Sequence, residues 1–264
     1  MIHFVVVTGT PTAVERESQR LWHALESTRL QDGERIEHIG TSHTWAVAAI
    51  ASADRVCGAR IAVDGDAMVV ANGPMLAATG DQAHVIVDLL QRFRASGSDA
   101  VAAALGGSYN FVGIDPSVGV RALVDFSGLC PLYWHQGADF AVFSNRSTTI
   151  GQLLGNVWDV RALAWVIGHA NLFDDQLPAK GVSYLPPGRE ARVAWGETQV
   201  RVTESSTWVW PAPSGERGRD NLEPDEWDEI TEGLVANFRA LRQLPGPLRL
   251  AITGGKDSRL CLAL

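Results

Sequence analysis

Leu248-Arg-Leu-Ala-Ile-Thr-Gly-Gly-Lys-Asp-Ser-Arg-Leu-Cys-Leu-Ala-Leu264 joins an apolar run to a glycine turn and then to a helical start. Leu248 to Ile252 reads as a buried parallel strand. Thr253-Gly254-Gly255-Lys256-Asp257-Ser258 is the turn, and the residues after it begin a helix. Such a join is an anion site, because unpaired backbone N–H groups and the positive helix end converge on one spot. The two glycines let an anion approach the backbone, and Thr253 and Ser258 add side-chain donors. Asp257 is repulsive there unless it caps the helix or helps to hold a divalent cation. The spacing is not that of a Walker A loop, since Lys256 sits inside the turn.

Upstream, Ile2 to Val7 is a β-branched run that predicts a buried strand, and Thr10-Pro11 predicts an N-cap and first helical residue. That helix continues through Val14, Ser18, Leu21, Trp22 and Leu25. Between Thr44 and Asn72 lie three short apolar runs, with Asp64-Gly65 as a type I′ hairpin signal. Helical spacing marks residues 82–94. Four strands at hairpin spacing follow, over 108–115, 119–125, 131–135 and 140–144. Two helices are expected over 148–154 and 160–169. A last hairpin, 190–195 with 198–202, opens at Pro186-Pro187-Gly188. Antiparallel strands with helices grouped around them predict an α+β fold with two sheets face to face. Composition shifts at Glu204 to a stretch rich in Pro, Ser, Gly and charge, which reads as a linker over 204–223. An amphipathic helix is expected from Pro224 to Gln243, with Trp227, Ile230, Leu234, Phe238 and Leu241 as its stripe.

The chain has 264 residues, 46% of them hydrophobic, and a net charge of −8, which disfavours nucleic acid or an anionic membrane as main partner. Cys57, Cys130 and Cys261 form no C-x-x-C, so neither a disulfide framework nor a zinc site is indicated and a reducing cytoplasm fits. Met1-Ile-His-Phe-Val-Val-Val lacks the basic region and long apolar core of a signal peptide. No stretch approaches the ~18 apolar residues of a membrane helix. The seven histidines show no metal-binding pair; His84 and His169 read as ordinary helix polar residues, and Trp208 and Trp210 as packing residues of the linker.

Thr253-Gly-Gly-Lys-Asp-Ser258 resembles the Ser-Gly-Gly-x-Asp-Ser pyrophosphate loop (PP-loop) of ATP pyrophosphatases, in the version carried by asparagine synthetases and related amide-forming enzymes. Further landmarks of that family are matched in order. Val69-Val-Ala-Asn-Gly-Pro-Met-Leu resembles its strand ending in Asn-Gly-Glu, and Gly80-Asp-Gln-Ala-His-Val-Ile its Ser-Asp-Thr-Glu-Val-Ile helix start. Leu105-Gly-Gly-Ser-Tyr-Asn-Phe and Asp125-Phe-Ser-Gly-Leu-Cys-Pro-Leu-Tyr-Trp resemble its Leu-x-Gly-x-Phe-Ala-Phe and Asp-x-x-Gly-x-x-Pro-Leu-Tyr-Tyr segments. Phe143-Ser-Asn-Arg and Leu185-Pro-Pro-Gly match two later landmarks.

The resemblance implies a class II glutamine amidotransferase-like αββα sandwich over 1–203, a linker over 204–223, and the start of an ATP-binding synthetase domain over 224–264. In that family a cysteine exposed as residue one hydrolyses glutamine, its own α-amine serving as base. Met1-Ile2-His3 offers an alkyl side chain instead, and Thr8, Thr10 and Cys57 are internal, so the glutaminase is expected to be inactive. Asn72 and Gly73 match the oxyanion-hole positions, and Asp81 matches the one that binds the glutamine amine. They read as a vestigial pocket, with cap and turn roles as sufficient structural reasons.

The expected activity is an ATP-dependent, AMP-forming carbon–nitrogen ligation. A small-molecule or peptide carboxylate becomes an acyl-adenylate, and an amine other than glutamine-derived ammonia displaces AMP. β-Lactam synthetases and lasso-peptide macrolactam synthetases work this way, which suggests natural-product biosynthesis. Thr253, Gly254, Gly255, Asp257 and Ser258 would hold the pyrophosphate portion of ATP, with Mg neutralising charge, through Asp257 if through any residue of this chain. One strand and half a helix cannot complete such a site, so the remaining synthetase portion is expected on a second chain or a continuation. The rival expectation is a non-catalytic scaffold or peptide-binding protein. A homo-oligomer is compatible with either.

Overall fold

The computed structural model describes residues 2–27, 35–51, 60–77, 84–169, 177–204 and 223–242. The Thr253–Ser258 turn, Asp81, Cys57, Cys261, Trp208, Trp210 and most of the expected linker lie outside those residues. In chain order the elements begin with β1 (Ile2–Gly9), α1 (Pro11–Glu26), β2 (Arg35–Thr41), β3 (Trp45–Ala51), β4 (Ile61–Asp64), β5 (Ala67–Asn72) and β6 (Met75–Ala77). Next come α2 (Val85–Ala104), β7 (Leu105–Gly107), β8 (Asn110–Asp115), β9 (Gly119–Val124), β10 (Tyr133–Gln136) and β11 (Phe140–Ser144). The series ends with α3 (Ser147–Leu153), α4 (Val160–His169), β12 (Ser183–Tyr184), β13 (Arg189–Val193), β14 (Arg201–Glu204) and α5 (Pro224–Leu241).

Two six-stranded antiparallel sheets result, in the orders β12-β10-β11-β1-β3-β2 and β14-β13-β9-β8-β5-β4. Alternation along the strands sorts their side chains into three apolar layers. Phe4, Val6, Trp45, Val47 and Phe143 of the first sheet meet Met68, Val70, Val112, Ile114 and Ala122 of the second. On the first sheet's other face, Val5, Val7, Ala48 and Val142 pack against Val14, Leu21 and Leu25 of α1 and Ile150 of α3. On the second sheet's other face, Val69, Phe111 and Leu123 pack against Ile86, Leu89 and Phe93 of α2. No described helix is long and apolar enough to cross a membrane.

Local chemistry explains the boundaries. The Thr10 hydroxyl accepts the Ala13 N–H at 3.3 Å and Pro11 opens α1, as the sequence predicts. α2 runs on to Ala104 because a kink at Gly97 (φ 73°) redirects it, and the Ser98 hydroxyl just beyond donates to buried Glu190 at 2.6 Å. The β4–β5 hairpin departs from its expected type. Its loop residues are Gly65 and Asp66, and only Gly65 has positive φ (61°), the pattern of a type II′ turn rather than I′. The last described strand is β14 at 201–204, three residues beyond the expected start, because Gly196 and the Glu197 N–H bond to the Ala194 carbonyl extend the turn.

The sheets end on short strands: two residues in β12, four each in β4 and β14. The seven-residue edge β2 carries a register shift between Ile36 and His38.

Gly113 faces α2 where Phe93 and Phe111 meet edge to face, their centroids 5.7 Å apart. A Cβ there would lie 2.8 Å from the Phe111 ring and 2.9 Å from the Phe93 ring. Gly113→Ala is expected to cost about 1–3 kcal/mol by overpacking, read as a lower urea midpoint at unchanged m-value.

Candidate functional site

The start of β1, the end of β5 and the turn after β9 meet at one end of the sandwich, and there the structure brings Asn72 and Gly73 beside residues that the sequence reading had not connected with them. Asn72 closes β5 opposite Asn110 of β8 and is almost wholly buried. Its Oδ1 accepts the Ile2 N–H at 3.0 Å, a bond from one sheet to the other. The residue therefore ends a strand and ties two sheets together. The turn role of Gly73 holds: its φ is 118°, and a Cβ would collide with the Ser108 carbonyl and come within 2.8 Å of the Cys130 Sγ. Only glycine fits that conformation without strain.

Cys130 thus lies directly against the Asn72-Gly73 pair. The thiol is buried, and burial together with the nearby Asp125 carboxylate pushes its pKa up to about 11, against a smaller downward pull from Arg60. At neutral pH it is a protonated thiol and a poor nucleophile. Asp125 itself is occupied in holding the turn. One oxygen accepts the N–H and hydroxyl of Ser127, the other accepts the Tyr109 N–H at 3.1 Å. The Tyr109 phenol is fully buried with its pKa raised by burial and by Asp125, and among the described residues its hydroxyl has no partner.

Two further polar groups sit in this cluster. Arg60 is buried just before β4, its carbonyl accepting the Ala71 N–H at 2.9 Å, while its Nε has no partner among the described residues. Asn110 donates from Nδ2 to the Pro131 carbonyl at 2.8 Å and leaves a buried Oδ1 unpartnered. A buried polar group without a partner carries a desolvation penalty, so this end of the fold holds unused hydrogen-bonding capacity. Asn110 and Cys130 stand inside two of the family-like segments and Arg60 in none, and each reaches Asn72-Gly73 through strand pairing or a turn, which leaves no local signal of a site role. Thr8 and Thr10, the internal hydroxyls considered as nucleophiles, lie at the far end of β1; Thr8 donates to the Thr44 carbonyl and Thr10 caps α1. Among the described residues no group of three His, Cys, Asp or Glu side chains is arranged to hold a metal.

No family model matches this chain. No curated protein matches its sequence either. Among solved structures, its fold is distantly similar to that of glutamine phosphoribosylpyrophosphate (PRPP) amidotransferase from B. subtilis complexed with ADP and GMP. That likeness has a TM-score of 0.46 at 12% identity and covers 76% of this chain and 49% of that one. A structure described as the allosteric regulatory enzyme of purine biosynthesis is similar at a TM-score of 0.41 and 12% identity, over 76% of this chain and 48% of that one. The chain spans about half the length of each. These are likenesses of chain course and carry no argument about chemistry, which rests on the residues above.

The Cys130 environment has a direct consequence. A rise from 9.0 to about 11 lowers the thiolate fraction at pH 8 about a hundredfold. Iodoacetamide at pH 8 is expected to leave Cys130 unlabelled in the native protein and to label it once urea unfolds the chain, as read by peptide mass mapping.

Proposed function

We propose that residues 1–203 are a class II amidotransferase-like αββα domain without glutaminase activity, belonging to an asparagine-synthetase-like protein that forms amides at the expense of ATP. The observation that carries the first half is the Ile2–Asn72 bond. It puts an alkyl residue at the head of β1 beside the Asn72-Gly73 pair and engages the Asn72 carbonyl oxygen. The one described thiol within reach is protonated and buried. Nothing in that arrangement supplies the ionised nucleophile and free amine that glutamine hydrolysis requires.

The second half is supported by the Thr253–Ser258 turn and the family landmarks that precede it in order. In this reading the turn's backbone and the Thr253 and Ser258 hydroxyls hold the pyrophosphate portion of ATP. Mg, when bound, neutralises the phosphate charge. The carboxylate substrate is adenylated, and an amine that is part of the substrate or a separate molecule displaces AMP. Activity requires the rest of the synthetase site, from a continuation or a second chain. Cytoplasmic location accords with the free thiol of Cys130.

Two measurements test these halves separately. Purified protein is expected to release no glutamate from glutamine above the buffer rate; turnover would overturn the first half. The protein assembled with its remaining synthetase portion is expected to catalyse ATP–pyrophosphate exchange only with its carboxylate substrate. Asp257→Ala is expected to lower that exchange at least tenfold, about 1.4 kcal/mol of transition-state stabilisation. Absence of exchange with any candidate acid or peptide would favour the alternative, a scaffold or peptide-binding protein. That reading draws on exposed Leu129, Val160 and Ile167, each more than three-quarters accessible.

A further inference from the structure

His3 occupies an unusual place for a titratable residue. It lies in β1 opposite Ile50 of β3, is 2% exposed, and faces the layer between the first sheet and its helices. Its Nε2 is 2.6 Å from the Thr149 hydroxyl on α3, and its Nδ1 is buried with no partner among the described residues. The backbone on either side of it is held by side chains. Asn145 straddles it, accepting the Phe4 N–H at 3.0 Å with Oδ1 and donating from Nδ2 to the Ile2 carbonyl at 2.8 Å. Asn72 takes the Ile2 N–H. With the Ser144 hydroxyl donating to the Phe4 carbonyl at 2.6 Å, four side-chain bonds at this end of the sandwich converge on the two residues flanking one buried imidazole.

We propose that residues 2–4 form an acid-released latch: when His3 takes up a proton, this end of β1 lets go of Asn145 and Asn72, and the end of the sandwich opens while the rest of the fold stays intact. The surroundings give the added charge nothing to pair with. Arg146, the residue that precedes α3, acts on it with a charge of the same sign. β3 presents Ala46, Ala48 and Ile50 to this layer. On α1, Arg20, His23 and Glu26 line an outer groove, Glu15 lines another with Ser42 and Asp66, and Glu17 is paired with Arg16 and Arg20. Among the described residues no carboxylate bonds to His3. A positive charge taken up by His3 in this buried layer is relieved by moving the strand end into water.

The sign follows from linkage. Burial, then Arg146, lowers the closed-state pKa from 6.5 to about 3. The open state therefore binds the proton more readily, and the latch is lost as pH falls from 6.5 toward 3. Over that window the open population rises tenfold per pH unit. The latch concerns the described body alone and stands whether or not the chain forms amides.

Amide hydrogen exchange on the full chain, corrected for intrinsic rates, tests this between pH 7 and 4. The Ile2 and Phe4 amides are expected to lose about tenfold in protection per pH unit below 6.5, while Val112 in the centre of β8 keeps its protection. His3→Gln, which retains a donor toward Thr149, is expected to flatten that dependence. In Arg146→Gln the loss is expected to level off at higher pH, because the closed state then keeps its proton more easily. Constant protection at Phe4, the same slope in His3→Gln, or loss at Val112 in step with Phe4 would each overturn the latch.

Discussion

β1 has no face or edge in water along most of its length, and the other layers are arranged around that constraint. Its two edges pair with β3 and β11, Phe4 and Val6 enter the layer between the sheets, and Val5 and Val7 enter the layer under α1. Four fully buried apolar side chains at about 1.5–3 kcal/mol each make this strand a large part of what holds three layers together. A strand enclosed in this way needs branched apolar residues at successive positions instead of alternation. That is why Phe4-Val-Val-Val7 is uninterrupted. The same enclosure makes a histidine at position 3 conspicuous.

The strand also fixes where chemistry can sit. β1 must start somewhere, and at its start the ladder to β11 runs out. Asn145 extends it with a side-chain amide in place of backbone, and Asn72 adds a bond from the opposite sheet. Polar side chains gather there because backbone groups at a strand end still require partners inside a closed body. The turn governed by Asp125 then brings Cys130 against Gly73. The result is a compact polar cluster that, among the described residues, holds several unspent hydrogen-bonding atoms and a thiol kept protonated.

Much of this architecture was legible in the residues. The β-branched run of β1, the Thr10-Pro11 start of α1, and the apolar spacing of β5, β8, β9 and β11 all carry local periodicity, and the elements lie where that periodicity places them. β2 carries no readable strand pattern, since the isoleucines of Arg-Ile-Glu-His-Ile-Gly-Thr are separated by two charged or polar residues and break the alternation, and it becomes a strand by pairing with β3. β6 and β7 are three residues each and leave no periodicity to read. The site was legible in part. Gly73 announced a turn, but the contacts of Cys130 and Arg60 arise from pairings that span much of the chain, and no local pattern encodes them. The hairpin at Gly65 shows the converse: Asp-Gly located the turn, while the register of β4 on β5 shifted its central residues by one.

The way the two sheets finish bears on how the protein behaves in a crowded solution. An exposed strand edge offers unpaired N–H and C=O groups to any passing strand, and long flat edges nucleate intermolecular sheets. Here a two-residue strand ends one side of the first sheet, and four-residue strands end both sides of the second. β14 carries Arg201 and Glu204 in its exposed run. The one long edge, β2, is broken in register near its N-terminal end, which twists it away from flat pairing. A chain that buries this much strand in its interior thus presents few continuous rows of backbone donors and acceptors at its described borders, and a neighbouring copy finds little against which to extend either sheet.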